Sequence, residues 1–293
     1  MHRRAALGLL AGLPLVPLAC KRSSDVVRVG SKNFSESVLL GEIVAQQLER
    51  RAGVKVTRKE NLGGTFVCHQ ALVSGDLDIY VEYTGTAFSA ILKDARRLTD
   101  ATAVRAEVER VWPERFGAVW MPPLGFDDTF AILVRRTDAM AKGLKTISDV
   151  AAHASTMRPG FGYEFVERND GYAAFTAAYG LSFANKPATM ELSLTYRALA
   201  DNKVDLIAGN STDGLIEKLD LVQLTDDKHF FPPYEAAAVV RRAVLEAHPS
   251  VSDALRALSP KIDGSTMRRL NRALDVDGRP VAEVARGFLS GLT

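Results

Sequence analysis

Apolar positions along this chain follow two alternating periods. Val26 to Val29 reads as a first strand, and Leu77, Ile79 and Val81 alternate with Asp78, Tyr80 and Glu82, the period of two expected of a strand. Between them Leu40, Val44 and Leu48 recur at helical spacing and predict a long amphipathic helix from about Ser35 to Arg51, with Arg50 and Arg51 at its negative end and Gly53 closing it. Asn33, with Glu36 three residues on, predicts a capping box at its start. Val54 to Lys59 reads as the next strand, Asn61-Leu62-Gly63-Gly64-Thr65 as a flexible turn, and Phe66 to Ser74 as a short helix ended by Gly75. Helices are expected at Ala87 to Lys93 and Ala101 to Trp112, and a buried strand at Phe130 to Val134. Strand and helix then continue by turns through Tyr163, Tyr172 to Tyr179, Ser193 to Asp201 and Val204 to Ala208. Such alternation implies an α/β fold with mostly parallel sheets.

The stretch Asp78 to Thr86 stands at the centre of this pattern. Tyr83 ends a strand and Thr84-Gly85-Thr86 opens a polar turn, and in open α/β sheets ligands bind outside such strand ends. Tyr83 is therefore a pocket candidate, the alternative being a tyrosine that closes the core. An internal echo follows: Ala71-Leu72, Leu77-Asp78-Ile79 and Tyr83-Thr84 align without gaps with Ala198-Leu199, Val204-Asp205-Leu206 and Asn210-Ser211. A second echo pairs Val134-Arg135-Arg136 with Val240-Arg241-Arg242, and Ile147-Ser148-Asp149-Val150 with Val251-Ser252-Asp253-Ala254. Together they predict two similar lobes, with a small-molecule site in the cleft between them. The expected boundaries are 26–127 plus 232–293 for lobe I and 128–231 for lobe II, with hinges near Phe126 to Thr129 and Phe231 to Tyr234.

Residues 1–20 change the charge balance. His2, Arg3 and Arg4 precede an apolar run from Ala5 to Val16, and Pro17-Leu18-Ala19-Cys20 has the form of a processing site. This is a signal sequence of the lipoprotein type, in which Cys20 is lipidated after cleavage; an ordinary secretory signal is the alternative. Removing Arg3 and Arg4 takes Lys+Arg from 37 to 35, equal to the 35 Asp+Glu. A neutral chain lacks the basic face that nucleic acid requires. With Cys20 cut off or acylated, Cys68 is left without a disulfide partner.

Catalytic material is sparse. Cys68 beside His69 is the one Cys/His adjacency, but helical neighbours point about 100° apart and do not form a dyad. His153, His229 and His248 have no metal spacing, and Gly63-Gly64-Thr65 lacks the lysine of a phosphate loop. Binding material is richer. Tyr83, Phe130 and Tyr196 fall where strands or helices meet polar turns, and aromatic faces attract cations by about 2 kcal/mol when desolvated. Lys32 and Arg168 offer partners for a carboxylate on the same ligand, Arg in a bidentate way.

The motifs Gly30-Ser31-Lys32-Asn33-Phe34-Ser35-Glu36, Leu62-Gly63-Gly64-Thr65, Tyr80-Val81-Glu82-Tyr83-Thr84-Gly85-Thr86, Gly125-Phe126-Asp127-Asp128, Val204-Asp205-Leu206-Ile207 with Ser211-Thr212-Asp213, and Leu224-Thr225-Asp226-Asp227 followed by Pro232-Pro233-Tyr234 together carry a resemblance. In this order the chain resembles the substrate-binding proteins of ABC uptake systems for glycine betaine, choline and related quaternary ammonium compounds, from about Val26 to Leu292. The resemblance implies a two-lobed periplasmic-binding-protein-like fold of type II, with an aromatic cage for a trimethylammonium group. It makes Tyr83 and Tyr196 cage tyrosines, puts Phe130 and Asn210 where cage tyrosines are usual, and gives Lys32, Thr65, Thr86, Asp128 and Arg168 polar contacts to ligand. It further implies a monomer, no cofactor, no catalysis and an inner-membrane ABC permease as partner. The cargo would be betaine, choline, carnitine or a bulkier betaine such as ergothioneine. Two alternatives remain: an enzyme on a similar fold using Cys68, and a binding protein for another organic solute such as an amino acid.

Overall fold

Ten short strands pair into two five-stranded sheets in the computed structural model, which describes residues 26–292. The predicted signal sequence and Cys20 lie outside the described residues. The strands are β1 (Val26–Gly30), β2 (Lys55–Lys59), β3 (Ile79–Tyr83), β4 (Ala118–Trp120), β5 (Phe130–Arg135), β6 (Pro159–Gly162), β7 (Ala188–Met190), β8 (Leu206–Asn210), β9 (Leu221–Gln223) and β10 (Ala236–Arg241). The first sheet has the order β2-β1-β3-β10-β4 and the second β7-β6-β8-β5-β9. Central strands are covered on both faces, so all five residues of β3 are buried. The alternation at Leu77 to Glu82 therefore does not mark a solvent face.

The sheets are mixed rather than mostly parallel. β1 runs parallel to β2 and β3, and β6 parallel to β7 and β8. β10 is antiparallel to β3 and β4, and β5 antiparallel to β8 and β9. The reason is topological: the chain crosses to the second sheet after β4 and enters it by β5, then crosses back after β9 and enters the first by β10. The two crossings touch. Asp127 bridges Glu235, Asp128 N–H donates to Tyr234 O at 3.1 Å and Ala236 N–H to Phe126 O at 3.2 Å.

The internal echo has a physical origin. Asp78 opens the way into β3 and accepts from Arg28 N–H and Nε at 2.8 Å, with Arg241 Nη1 at 3.3 Å. Asp205 does the same before β8, accepting from Arg158 N–H at 2.9 Å, Arg158 Nε at 2.8 Å and Arg135 Nη2 at 2.6 Å. Each lobe thus ties the start of its central strand to the end of its antiparallel neighbour. At the other end of those strands stand Tyr83 and Asn210.

The helix at Ser35–Gln47 continues through a wider π turn at Leu48–Ala52, and Gly53 ends it at φ 66°. The capping box is absent. Phe34 occupies the cap position without a side-chain bond, and Glu36 turns inward instead. Its carboxylate accepts from Tyr83 Oη and Asn271 Nδ2, both at 2.7 Å.

Candidate functional site

A cavity of ≈ 280 Å³ opens between the sheets at the carboxyl ends of β1, β3, β6 and β8. Its size suits a small solute. Lys32, Thr65, Tyr83, Thr86, Asp128, Phe130, Arg168 and Asn210 all line it.

Lobe I places its residues by tight backbone turns. β1 ends at Gly30, and the chain turns at Ser31, where Lys32 N–H donates to Ser37 Oγ at 2.9 Å. Lys32 Nζ then reaches Glu82 Oε1 at 2.5 Å and Thr65 Oγ1 at 2.9 Å, and lies 5.2 Å from the Tyr83 ring centroid. Phe34 stacks on Tyr83 with centroids 6.4 Å apart. Gly63, at φ 136°, makes the turn that starts the Thr65–Ser74 helix at the cavity rim. Lobe II answers with the short helix Tyr163–Glu167, whose Glu164 carboxylate comes within 3.4 Å of Thr65 N–H across the cleft. A Cβ on Gly64 would stand 2.8 Å from that carboxylate, so a bare backbone lets the lobes approach here.

The charged groups are matched by protein partners, which changes their predicted roles. Arg168 holds Asp170 in a fork at 2.8 and 2.6 Å, donates to Thr86 Oγ1 at 3.3 Å, and lies over the Phe130 ring. Burial opposes its charge, but Asp170 more than offsets this and holds the guanidinium above its ordinary value. Neither Lys32 nor Arg168 waits unpaired for a ligand carboxylate. Glu164 is different: burial disfavours its charge, yet the fields of Lys32 and Arg168 keep it below the usual carboxylate range. It stands ionised beside cations whose own close partners are Glu82 and Asp170.

Tyr196 is not in this cavity. Its helix, Leu192–Ala200, packs on β8, and the ring lies fully buried among Ala131, Leu133, Leu199 and Ile207. Its hydroxyl accepts from Asn210 N–H at 3.1 Å. Gly209 makes this possible, since a Cβ there would sit 2.0 Å from the hydroxyl. Tyr196 borders a second cavity of ≈ 390 Å³ on the far side of Phe34 and Asn210. Phe130 reaches the main cavity, but Arg168 covers one face of its ring.

Five aromatics on the walls were not among the expected site residues: Phe34, Phe66, Tyr163, Phe165 and Tyr234. Phe66 and Tyr163 are 45% and 50% exposed and face the cavity from opposite lobes. The signal for Phe66 was its place one residue after the Gly63-Gly64-Thr65 turn; for Tyr163 it was the tyrosine closing Gly160-Phe161-Gly162.

A family model described as the substrate binding domain of ABC-type glycine betaine transport systems matches residues 25–291. The chain belongs to this family. It is similar to the carnitine transport binding protein OpuCC of Listeria monocytogenes, at 36% identity over 269 residues, which is 91% of this chain and 87% of that one. It is 33% identical over 285 residues to the ergothioneine transport permease/ergothioneine binding protein EgtU of Helicobacter pylori, covering 97% of this chain and 50% of that longer one. A solved structure of a glycine betaine/carnitine/choline ABC transporter protein superposes with a TM-score of 0.73 at 34% identity, over 90% of this chain and 98% of the other.

Membership settles the two-lobed type II fold and the role of an extracytoplasmic substrate-binding protein of an ABC importer. The family consists of transport proteins, not enzymes. Cys68 agrees with that reading: it is fully buried, with Sγ 3.4 Å from Ser31 O, and burial pushes the thiol up to about 12. A thiol so protonated is no nucleophile at neutral pH. His69 packs edge-on against Trp112 and Phe116, and burial lowers it to about 4. Among the described residues no helix is long and apolar enough to cross a membrane.

Proposed function

We propose that this protein captures a small quaternary ammonium compound between lobe I (26–127 with 232–293) and lobe II (128–231) and delivers it to inner-membrane ABC permease subunits. The observation that carries this is the charge pattern of an aromatic-walled cavity. Lys32 pairs with Glu82 at 2.5 Å and Arg168 with Asp170 at 2.6 Å, so the Glu164 carboxylate keeps only a longer 3.6 Å contact to Arg168 and stands among Phe34, Phe66, Tyr83 and Tyr163. A cation that cannot donate hydrogen bonds, and so gains most from ring faces and a nearby carboxylate, suits such walls. Carnitine and ergothioneine, named for the two relatives, both bear that group.

Ligand binding the two lobes together favours the closed state by its differential affinity. The touching crossings at Phe126–Thr129 and Phe231–Tyr234 would absorb the rotation. The chain works as a monomer, exported by its signal sequence and anchored by lipidated Cys20. Titration calorimetry of the mature protein against glycine betaine, choline, carnitine, ergothioneine and cationic amino acids tests the ligand class. Saturable heat with at least one trimethylammonium compound is expected; heat with amino acids only would replace the class. For the anchor, a Cys20→Ala protein should leave the membrane fraction, and one that stays there is not held by lipid at Cys20.

A further inference from the structure

Thr212 has one hydroxyl proton, yet its Oγ1 approaches two carboxylate oxygens, Glu36 Oε2 and, at 2.8 Å, Asp128 Oδ1. One O–H donates to one of them. The other contact is a hydrogen bond only when a carboxyl carries a proton and donates it to Oγ1. The remaining partners say which carboxyl that is. Glu36 accepts from Tyr83 Oη and Asn271 Nδ2 and, with Thr212, has three donors, a set that suits an anion. Beyond Thr212 Oγ1 at 2.8 Å, Asp128 Oδ1 meets Ser211 Oγ at 3.3 Å and Thr212 N–H at 3.2 Å, both long for a charged acceptor.

The surroundings point the same way. Glu36 rises from lobe I and Thr212 from lobe II, with Asp128 at the first crossing, so the proton sits where the lobes meet. Asp127, Asp213, Tyr83 and Tyr196 face the pair, and all are acids or phenols. Cations on the packed elements are engaged elsewhere: Lys32 with Glu82, Arg168 with Asp170, Arg272 with Glu217 and Arg279 with Glu283. Burial first, and the Glu36 charge second, hold Asp128 well above the usual aspartate range.

We propose that Glu36, Thr212 and Asp128 form a proton-holding clasp across the lobe junction, so that closure on ligand takes up one proton, carried by Asp128. The clasp regulates the cavity described above and rests on its reading as the ligand site. Glu36 also holds the Tyr83 hydroxyl, so the same clasp fixes a cavity wall. In an open protein Asp128 meets water and returns toward about 3.9. The closed state is then favoured at low pH and loses that advantage as pH rises through the clasp's own raised value. Between the open value and that raised value the dissociation constant should climb by up to tenfold per pH unit, and above the raised value it should level off.

Calorimetry of ligand binding at neutral pH in two buffers of different ionisation enthalpy reads the proton directly. Uptake of about one proton is expected for the wild type, and none for Asp128→Asn, whose amide supplies the missing donor. Glu36→Gln, which supplies it from the other side, should also lose uptake and guards against a misfolded Asp128 variant. No buffer dependence in the wild type overturns the clasp. If no quaternary ammonium compound gives heat, the ligand class fails, and the same two-buffer calorimetry with whichever cationic amino acid or other solute binds decides the clasp. Uptake of about one proton that Asp128→Asn abolishes supports it; no uptake overturns it.

Discussion

The guanidinium carbon of Arg168 lies 5.1 Å from the centroid of the Phe130 ring. One face of that ring is thus already occupied by a cation of the protein itself. Phe130 acts here as a platform that, with Asp170, fixes Arg168 in the cavity wall.

Releasing that fixed charge should alter selectivity. In Asp170→Asn the Arg168 fork loses its carboxylate and becomes available to a ligand's own carboxylate. Affinity for betaines relative to choline should rise severalfold by calorimetry. An unchanged ratio would mean that Arg168 does not face the ligand's acidic end.

Tyr83 carries two duties, a ring face toward Lys32 and the cavity and a hydroxyl on Glu36. Tyr83→Ala should weaken ligand at least tenfold, about 1.4 kcal/mol. Tyr83→Phe keeps the face and should lose less. Equal dissociation constants for the wild type and both variants would make Tyr83 a core residue.

Behind β8, Gly209 and Tyr196 share one space. Gly209→Ala brings a Cβ to 2.0 Å from the Tyr196 hydroxyl and should cost roughly 1–3 kcal/mol of stability. Adding Tyr196→Phe removes the clashing oxygen and should restore part of the loss in thermal unfolding. A fully stable Gly209→Ala protein would show that the ring can move aside.

Asp205 links the strand starts of lobe II to acid stability. Hydrogen bonds from Arg158 and Arg135 outweigh burial and hold its carboxyl far below the usual range. The unfolded chain binds this proton first, so the stabilisation is present above about pH 3.9 and fades as the pH falls. Asp205→Asn should therefore lower the melting temperature at neutral pH and flatten its decline in acid. Parallel melting curves for the two proteins across that range would contradict the assignment.

Sequence reached some of this and missed the rest for identifiable reasons. The echo at Asp78 and Asp205 was legible because both carboxylates do the same work at the same place in a sheet. Eight of the nine residues expected to contact ligand line the main cavity. Tyr196 does not, because helical spacing alone does not say which face of Leu192–Ala200 meets β8. Spacing also made Glu36 a cap when packing made it a buried acceptor. The antiparallel direction of β5, itself expected as a strand, and of β10 escaped notice because crossings between lobes leave no periodic signal.

The central claim is that the cargo is held by its positive charge. Whichever trimethylammonium compound binds most tightly should be compared, by calorimetry on the mature protein, with the same molecule carrying a quaternary carbon in place of the nitrogen. Shape and apolar area are kept; only the charge is gone. The account predicts that the carbon analogue binds at least tenfold more weakly, and that Tyr83→Ala narrows the difference. Equal affinity for the two would contradict it.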